Sequence, residues 1–109
     1  MILNSAANPT GTVYSEDELG ELLSIAAANN VFVISDEVYS SLVYKGEYTS
    51  CGAFDAYKDH VCIVQSMSKH FAMTGWRVGA VFAPVEITRR VRTLQGQSTS
   101  GAASISQYA

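Results

Sequence analysis

The chain has 109 residues, 48% of them hydrophobic and 16% charged, and its seven bases against ten acids give a formal charge of -3. That balance describes one small globular domain and excludes a disordered tail, while giving a nucleic-acid or membrane-surface partner no electrostatic support. No apolar run approaches the ~20 residues that span a bilayer, and Met1-Ile2-Leu3-Asn4 carries no basic leader, so the chain reads as cytoplasmic.

The first informative segment is Asn8-Pro9-Thr10-Gly11, a turn sequence in which Gly11 is free to take positive φ. Ser15-Glu16-Asp17-Glu18 has the spacing of a capping box, and Leu19, Leu22, Leu23 and Ala26 recur at helical spacing behind it, predicting a helix that ends near Ala28 before Asn29-Asn30. Val31-Phe32-Val33-Ile34 and Val61-Cys62-Ile63-Val64 are short apolar runs rich in β-branched residues, the pattern of parallel strands buried on both faces. Between them, Ser40 to Gly52 reads as a loop.

Trp76 to Ala83 reads as a further strand, with Trp76 a core residue. Pro84-Val85-Glu86 then opens a helix carrying Ile87, Val91 and Leu94 on one side and arginines on a solvated one. Ser98 to Gly101 reads as a second loop, and the chain runs to Tyr108-Ala109 with no helix stop signal. Cys51 and Cys62 are too far apart for a metal-ligand pair and too few for a disulfide framework, and His60 and His70 lack ligand spacing, so no metal site is expected.

Ligands of open α/β sheets gather beyond the carboxyl ends of strands, which favours Asp36 after the first apolar run and Ser66 to Lys69 after the second. Lys69 is flanked by small hydroxyl residues and followed by Arg77, a combination suited to an amine that captures an aldehyde cofactor while fixed donors hold its phosphate. Each residue alone has a plainer reading: Lys69 as a surface lysine, Asp36 as a cap, Tyr39 as a packing tyrosine, Asn8 as a turn former, Arg77 as a surface charge. Ser66-Met67-Ser68-Lys69 also fits the Ser-x-x-Lys nucleophile motif of penicillin-binding proteins, but its Ser-Asp-Asn and Lys-Thr-Gly companions are absent.

Taken together, Asn8-Pro9-Thr10-Gly11, Asp36-Glu37-Val38-Tyr39 and Ser66 through Arg77, with the distinctive Met73-Thr74-Gly75-Trp76-Arg77, resemble the class I/II aminotransferases of fold type I over nearly the whole chain. Gln97-Ser98-Thr99-Ser100 and Ser104-Ile105-Ser106-Gln107-Tyr108 look like the aspartate aminotransferase branch. The resemblance implies an α/β fold, a partial three-layer αβα sandwich whose mostly parallel sheet has one antiparallel strand, through Val78 to Ala83. It also implies that residues 1–109 are the central part of the large domain that binds pyridoxal 5′-phosphate, without that domain's N-terminal part or the C-terminal small domain. Both outer strands would then expose unpaired edges.

By the same resemblance Lys69 would form the Schiff base and carry the transferred proton, and Asp36 would pair with the pyridine nitrogen. Asn8 and Tyr39 would bond the phenolic oxygen, and Ser66 and Arg77, with Ser68 assisting, would hold the phosphate. The catalytic set is thus Lys69, Asp36 and Tyr39. The implied reaction moves an amino group between an amino acid and a 2-oxo acid in a homodimeric full-length enzyme, with the 109 residues inactive by themselves. The alternative from another class is a binding remnant or regulatory aminotransferase-like domain that keeps the cofactor signature without turnover.

Overall fold

The computed structural model describes all residues, 1–109. Four strands form one sheet in the order β1 (Ile2–Asn4), β2 (Val33–Asp36), β3 (Val61–Ser66), β4 (Gly79–Phe82). The first three are parallel and β4 is antiparallel to β3, so the implied topology is what is found. The helices are α1 (Glu16–Ala28), the one-turn α2 (Met67–His70), α3 (Val85–Ser98) and the short α4 (Ser104–Tyr108). None is long and apolar enough to cross a membrane.

Helix α1 begins and ends as its sequence directs. The Ser15 hydroxyl accepts from the Glu18 amide at 3.3 Å, and Glu18 Oε2 accepts from the Ser15 amide at 2.8 Å. At the other end Asn30 takes a left-handed φ of 54°, its amide donating to the Ala27 carbonyl at 3.0 Å and the Val31 amide to Ala26 at 2.8 Å, which is a Schellman stop built on asparagine. That stop consumes Val31, so β2 runs over Val33–Asp36 instead of Val31–Ile34, and Asp36 is its last residue.

Side-chain alternation divides the sheet. On one face Leu3, Val33, Val61 and Ile63 pack with Leu19, Leu23 and Ala26 of α1 and with Cys51, and Tyr14, Leu22, Phe54 and Tyr57 close the rim. The opposite face is less covered: Cys62 is buried, but Ile34 is 39% exposed and Ile2 76%. Burial on both faces, expected from the apolar runs, is therefore met in full on one face and only at Cys62 on the other. Helix α3 lies on that second face toward the β3–β4 edge, where Thr88, Val91 and Gln95 line a concavity with Val64 and Val81.

Two further expectations are corrected, and one element is added. The strand expected from Trp76 begins only at Gly79, because Thr74–Trp76 form a 3-10 turn that Arg77 closes in a left-handed conformation, φ 55° and ψ 41°. Trp76 is exposed at 38%, not in the core. Helix α4 occupies a stretch in which no element was predicted; without a capping residue or a long apolar stripe, Ser104–Tyr108 carries no sequence signal of one.

Candidate active site

Lys69 owes its place to a sharp strand-to-helix junction. Strand β3 ends at Ser66, whose hydroxyl accepts from the Ser68 amide at 3.1 Å and so caps α2, with Lys69 as that turn's third residue. This cap also commits the Ser66 oxygen as an acceptor, and no hydrogen bond joins it to Lys69, contrary to what a Ser-x-x-Lys nucleophile needs. The Lys69 ammonium is exposed and stands 5.9 Å from the centre of the Tyr39 ring.

Tyr39 Oη in turn accepts from Asn8 Nδ2 at 3.0 Å. Asn8 is held by Asn4: the Asn8 amide donates to Asn4 Oδ1 at 3.2 Å, and Asn4 Nδ2 donates to the Asp36 carbonyl at 3.0 Å. Gly11, at φ 71°, turns the Asn8 loop back as its sequence anticipates, with its amide donating to the Ala7 carbonyl at 2.8 Å. Asn8, Tyr39 and Lys69 thereby form one cluster at the carboxyl ends of the parallel strands.

Ser66, Ser68 and Arg77 form a second cluster, lining one concavity of 190 Å³ with Val78 and Gly79. The Arg77 guanidinium donates to the Thr74 carbonyl at 3.1 Å, and the Ser106 hydroxyl of α4 donates to the Trp76 carbonyl. These two bonds brace a non-glycine residue in a backbone region that costs about 1–2 kcal/mol.

The Asp36 carboxylate shares no hydrogen bond with either cluster. The residue pairs in register with Asn4 on one side and Val64 on the other, and its Oδ1 accepts from the Val38 amide at 3.3 Å. The chain's two ion pairs, Lys58–Asp55 and Arg90–Glu86, are exposed and lie elsewhere, so Asp36, Lys69 and Arg77 carry charges that no protein counter-ion neutralises. Three unpaired charges and several hydroxyl donors at the carboxyl ends of the strands can bind a ligand that is anionic at one end and basic at the other. Nowhere do three or more His, Cys, Asp or Glu residues cluster as metal ligands.

Sequence reasoning passed over two residues here. A Cβ built on Gly79 would lie 2.6 Å from the Gln65 carbonyl oxygen, so only glycine lets β4 approach β3 beside the hydroxyl-lined concavity; an isolated glycine in a strand was the available signal. Glu37, inside the Asp36-to-Tyr39 motif, is 1% exposed. The signal for it was Ser35, a polar residue two positions earlier and hence on the same face of an otherwise apolar strand.

Three parallel strands with an antiparallel edge strand give the chain the sheet topology of the fold type I transferases. It belongs to the class I and II aminotransferase family, whose model matches residues 1–109. Over 109 residues it is 37% identical to the aspartate/prephenate aminotransferase of Thermus thermophilus and 38% identical to a probable N-acetyl-LL-diaminopimelate aminotransferase of Bacillus subtilis, in each case over 100% of this chain. It superimposes on the aspartate aminotransferase of Thermotoga maritima with a TM-score of 0.92 at 38% identity, over 98% of this chain and 28% of that one. On an aromatic aminotransferase of Pyrococcus horikoshii the TM-score is 0.93 at 36% identity, over 98% and 29%. The chain spans 28% and 27% of the length of those two curated relatives.

Proposed function

We propose that residues 1–109 are the central part of the large domain of a pyridoxal 5′-phosphate-dependent aminotransferase that exchanges an amino group between an amino acid and a 2-oxo acid. The observation that carries this reading is that the Lys69–Tyr39–Asn8 cluster and the Ser66–Ser68–Arg77 concavity both lie beyond the carboxyl ends of the parallel strands, where Asp36 closes β2. The residues fit the cofactor in kind and order: hydroxyls and a guanidinium for a phosphate, an amine for an aldehyde, a carboxylate for a pyridine nitrogen.

Bound pyridoxal phosphate supplies the electron sink that makes loss of an amino acid's α-proton feasible. Ser66, Ser68 and Arg77 hold the phosphate, Arg77 through a permanently charged fork of donors. Asp36 keeps the proton on the pyridine nitrogen. Tyr39 Oη and Asn8 Nδ2 orient the ring through its phenolic oxygen. Lys69 Nζ would take the proton from the substrate α-carbon as base and, as acid, deliver it to the carbon that bore the cofactor's aldehyde. A homodimer in the cytoplasm completes the reading.

The relatives matched alike by this chain carry the names of aspartate, diaminopimelate and aromatic aminotransferases. That spread supports these residues holding the shared chemistry, with the choice of amino acid resting mostly on residues elsewhere. The exposure of Asn8, Lys69 and Arg77 supports a second reading for the 109 residues by themselves: cofactor binding without turnover. Conversion of bound cofactor to its amine form by added amino acid separates the two.

Borohydride reduction of the full-length protein with pyridoxal phosphate, followed by peptide mapping, tests the principal reading. The adduct is expected on Lys69, and Lys69→Ala is expected to abolish it and to lower turnover by about 10³-fold or more. An adduct on another lysine, or none, overturns it.

A further inference from the structure

Glu37 is the most buried carboxylate of the chain, 1% exposed, and the reaction outlined above gives it no task. Its Oε1 accepts three hydrogen bonds, from Ser35 Oγ, Ser50 Oγ and the Cys51 amide, each at 3.0 Å. Its backbone is pinned as well: the Glu37 amide donates to the Val64 carbonyl at 3.0 Å, and the Glu37 carbonyl accepts from the Ser40 amide at 3.0 Å. One side chain thus fastens the far end of the loop over residues 40–50 to the end of β2.

The fastening reaches the Asn8 loop through Tyr48. The Tyr48 hydroxyl donates to the Ser5 carbonyl at 3.0 Å, and the Ser5 amide donates to the Asp36 carbonyl at 3.4 Å. Burial first, and then the nearby Glu37 carboxylate, push the Tyr48 phenol well above its ordinary value and keep it a donor. Segments 5–8, 36–39 and 48–51 are therefore tied together behind the sheet edge, and each of the first two carries residues of the candidate site.

Alternation along the strand puts the Glu37 side chain on the face opposite that of Asp36. Glu37 touches neither cofactor-facing group, yet it holds the peptide units on both sides of itself. We propose that Glu37 is a positioning residue: by gathering Ser35, Ser50 and Cys51 behind the sheet, it fixes the backbone that aims Asp36 and Tyr39 at the cofactor. The proposal rests on the cofactor reading given above. A buried carboxylate satisfied for the sake of packing alone would stabilise the fold without affecting how the cofactor ring sits, and that difference is measurable.

The test uses the full-length protein with Glu37→Ala, Glu37→Gln and, as a packing control on the same face, Leu23→Ala. The readouts are visible circular dichroism per bound pyridoxal phosphate, kcat and KM, and the rate at which a thiol reagent labels Cys51, located by mass spectrometry. Glu37→Ala is expected to raise Cys51 labelling about tenfold by freeing its loop. It is also expected to halve the dichroism or more, and to lower kcat by about 10²-fold while KM stays within about threefold. Glu37→Gln keeps an oxygen acceptor and is expected to restore all three.

Leu23→Ala is expected to lower stability and leave the dichroism per bound cofactor unchanged. If Glu37→Ala does not fold, Ser50→Ala removes one of the three donors and is expected to shift labelling and dichroism in the same directions by smaller factors. Unchanged dichroism in the folded variants, or an equal change in Leu23→Ala, overturns the proposal. A full-length protein with no cofactor band at all overturns the functional reading instead, and the Cys51 labelling rates still report whether Glu37 fastens the loop.

Discussion

Residues 1–63 and 64–109 are built on different terms. All thirteen buried residues lie in the first stretch, from Leu3 to Ile63, and none in the second, where Phe82, Leu94 and Ile105 are 60%, 72% and 81% exposed. The candidate site straddles that boundary. Asn8, Asp36 and Tyr39 come from the packed stretch, whereas Ser66, Ser68, Lys69 and Arg77 come from one without a buried residue, held by hydrogen bonds: the β3–β4 ladder, the Ser66 cap, the Thr74 carbonyl on Arg77, and Ser106 reaching back to Trp76. The groups assigned to the ring's nitrogen and phenolic oxygen thus stand on a frame, and the lysine and phosphate groups on braced turns. Turns of that kind open at lower free energy than a packed core.

The sharpest way to break this comparison is to truncate one leucine in each stretch. Leu23 is 1% exposed against β-strand residues, and Leu23→Ala is expected to destabilise by about 3 kcal/mol through lost transfer energy and a cavity. Leu94→Ala, at a position 72% exposed, is expected to stay within about 0.5 kcal/mol. Urea unfolding of the two variants checks both numbers. Equal losses would mean that α3 is packed as well as α1, and the contrast would fall.

A smaller effect probes the boundary itself. Gly79→Ala places a methyl 2.6 Å from the Gln65 carbonyl oxygen, a backbone atom that cannot swing away, so β3 and β4 must part; a loss of about 1–3 kcal/mol is expected. Gly75, four residues earlier, has nothing within 4 Å of an added Cβ, and Gly75→Ala is expected to be neutral by the same measurement. Because Gly79 also lines the concavity with Ser66, Ser68 and Arg77, weaker pyridoxal phosphate binding in Gly79→Ala alone would sharpen the assignment of that concavity to the phosphate.

What the sequence discloses follows the same division. Helix α1 is legible to within a residue because both of its ends are local chemistry, a capping box and an asparagine stop. Asp36, Tyr39 and Lys69 are legible because they sit in distinctive runs at the ends of apolar strands. Trp76 is misread as core because an aromatic beside a strand pattern is usually buried, whereas here the preceding turn keeps it outside. Glu37 and Gly79 are missed for another reason: each matters through a partner distant in sequence, Cys51 for one and Gln65 for the other, and pattern within a run cannot supply such a partner.

The smallest effect concerns how the two stretches respond to acid. The Ser15 amide, and then the Ser15 hydroxyl, hold the Glu18 carboxyl below its ordinary value. A carboxyl with a folded value below its unfolded one contributes stability that is fully present above the unfolded value and is lost as pH falls through the folded one. The first turn of α1 should therefore fray on acidification in that window, and Glu18→Gln, which keeps an acceptor and does not titrate, should flatten the dependence. The turn bearing Lys69 is held otherwise, by the Ser66 hydroxyl on the Ser68 amide and the Met67 carbonyl on the Phe71 amide, neither of which titrates. Amide exchange across that range, corrected for intrinsic rates, should show Glu18 and Leu19 losing protection while Ser68 and Phe71 keep theirs. Parallel loss at all four would mean that acid opens the sheet as a whole and that the two stretches are one cooperative unit.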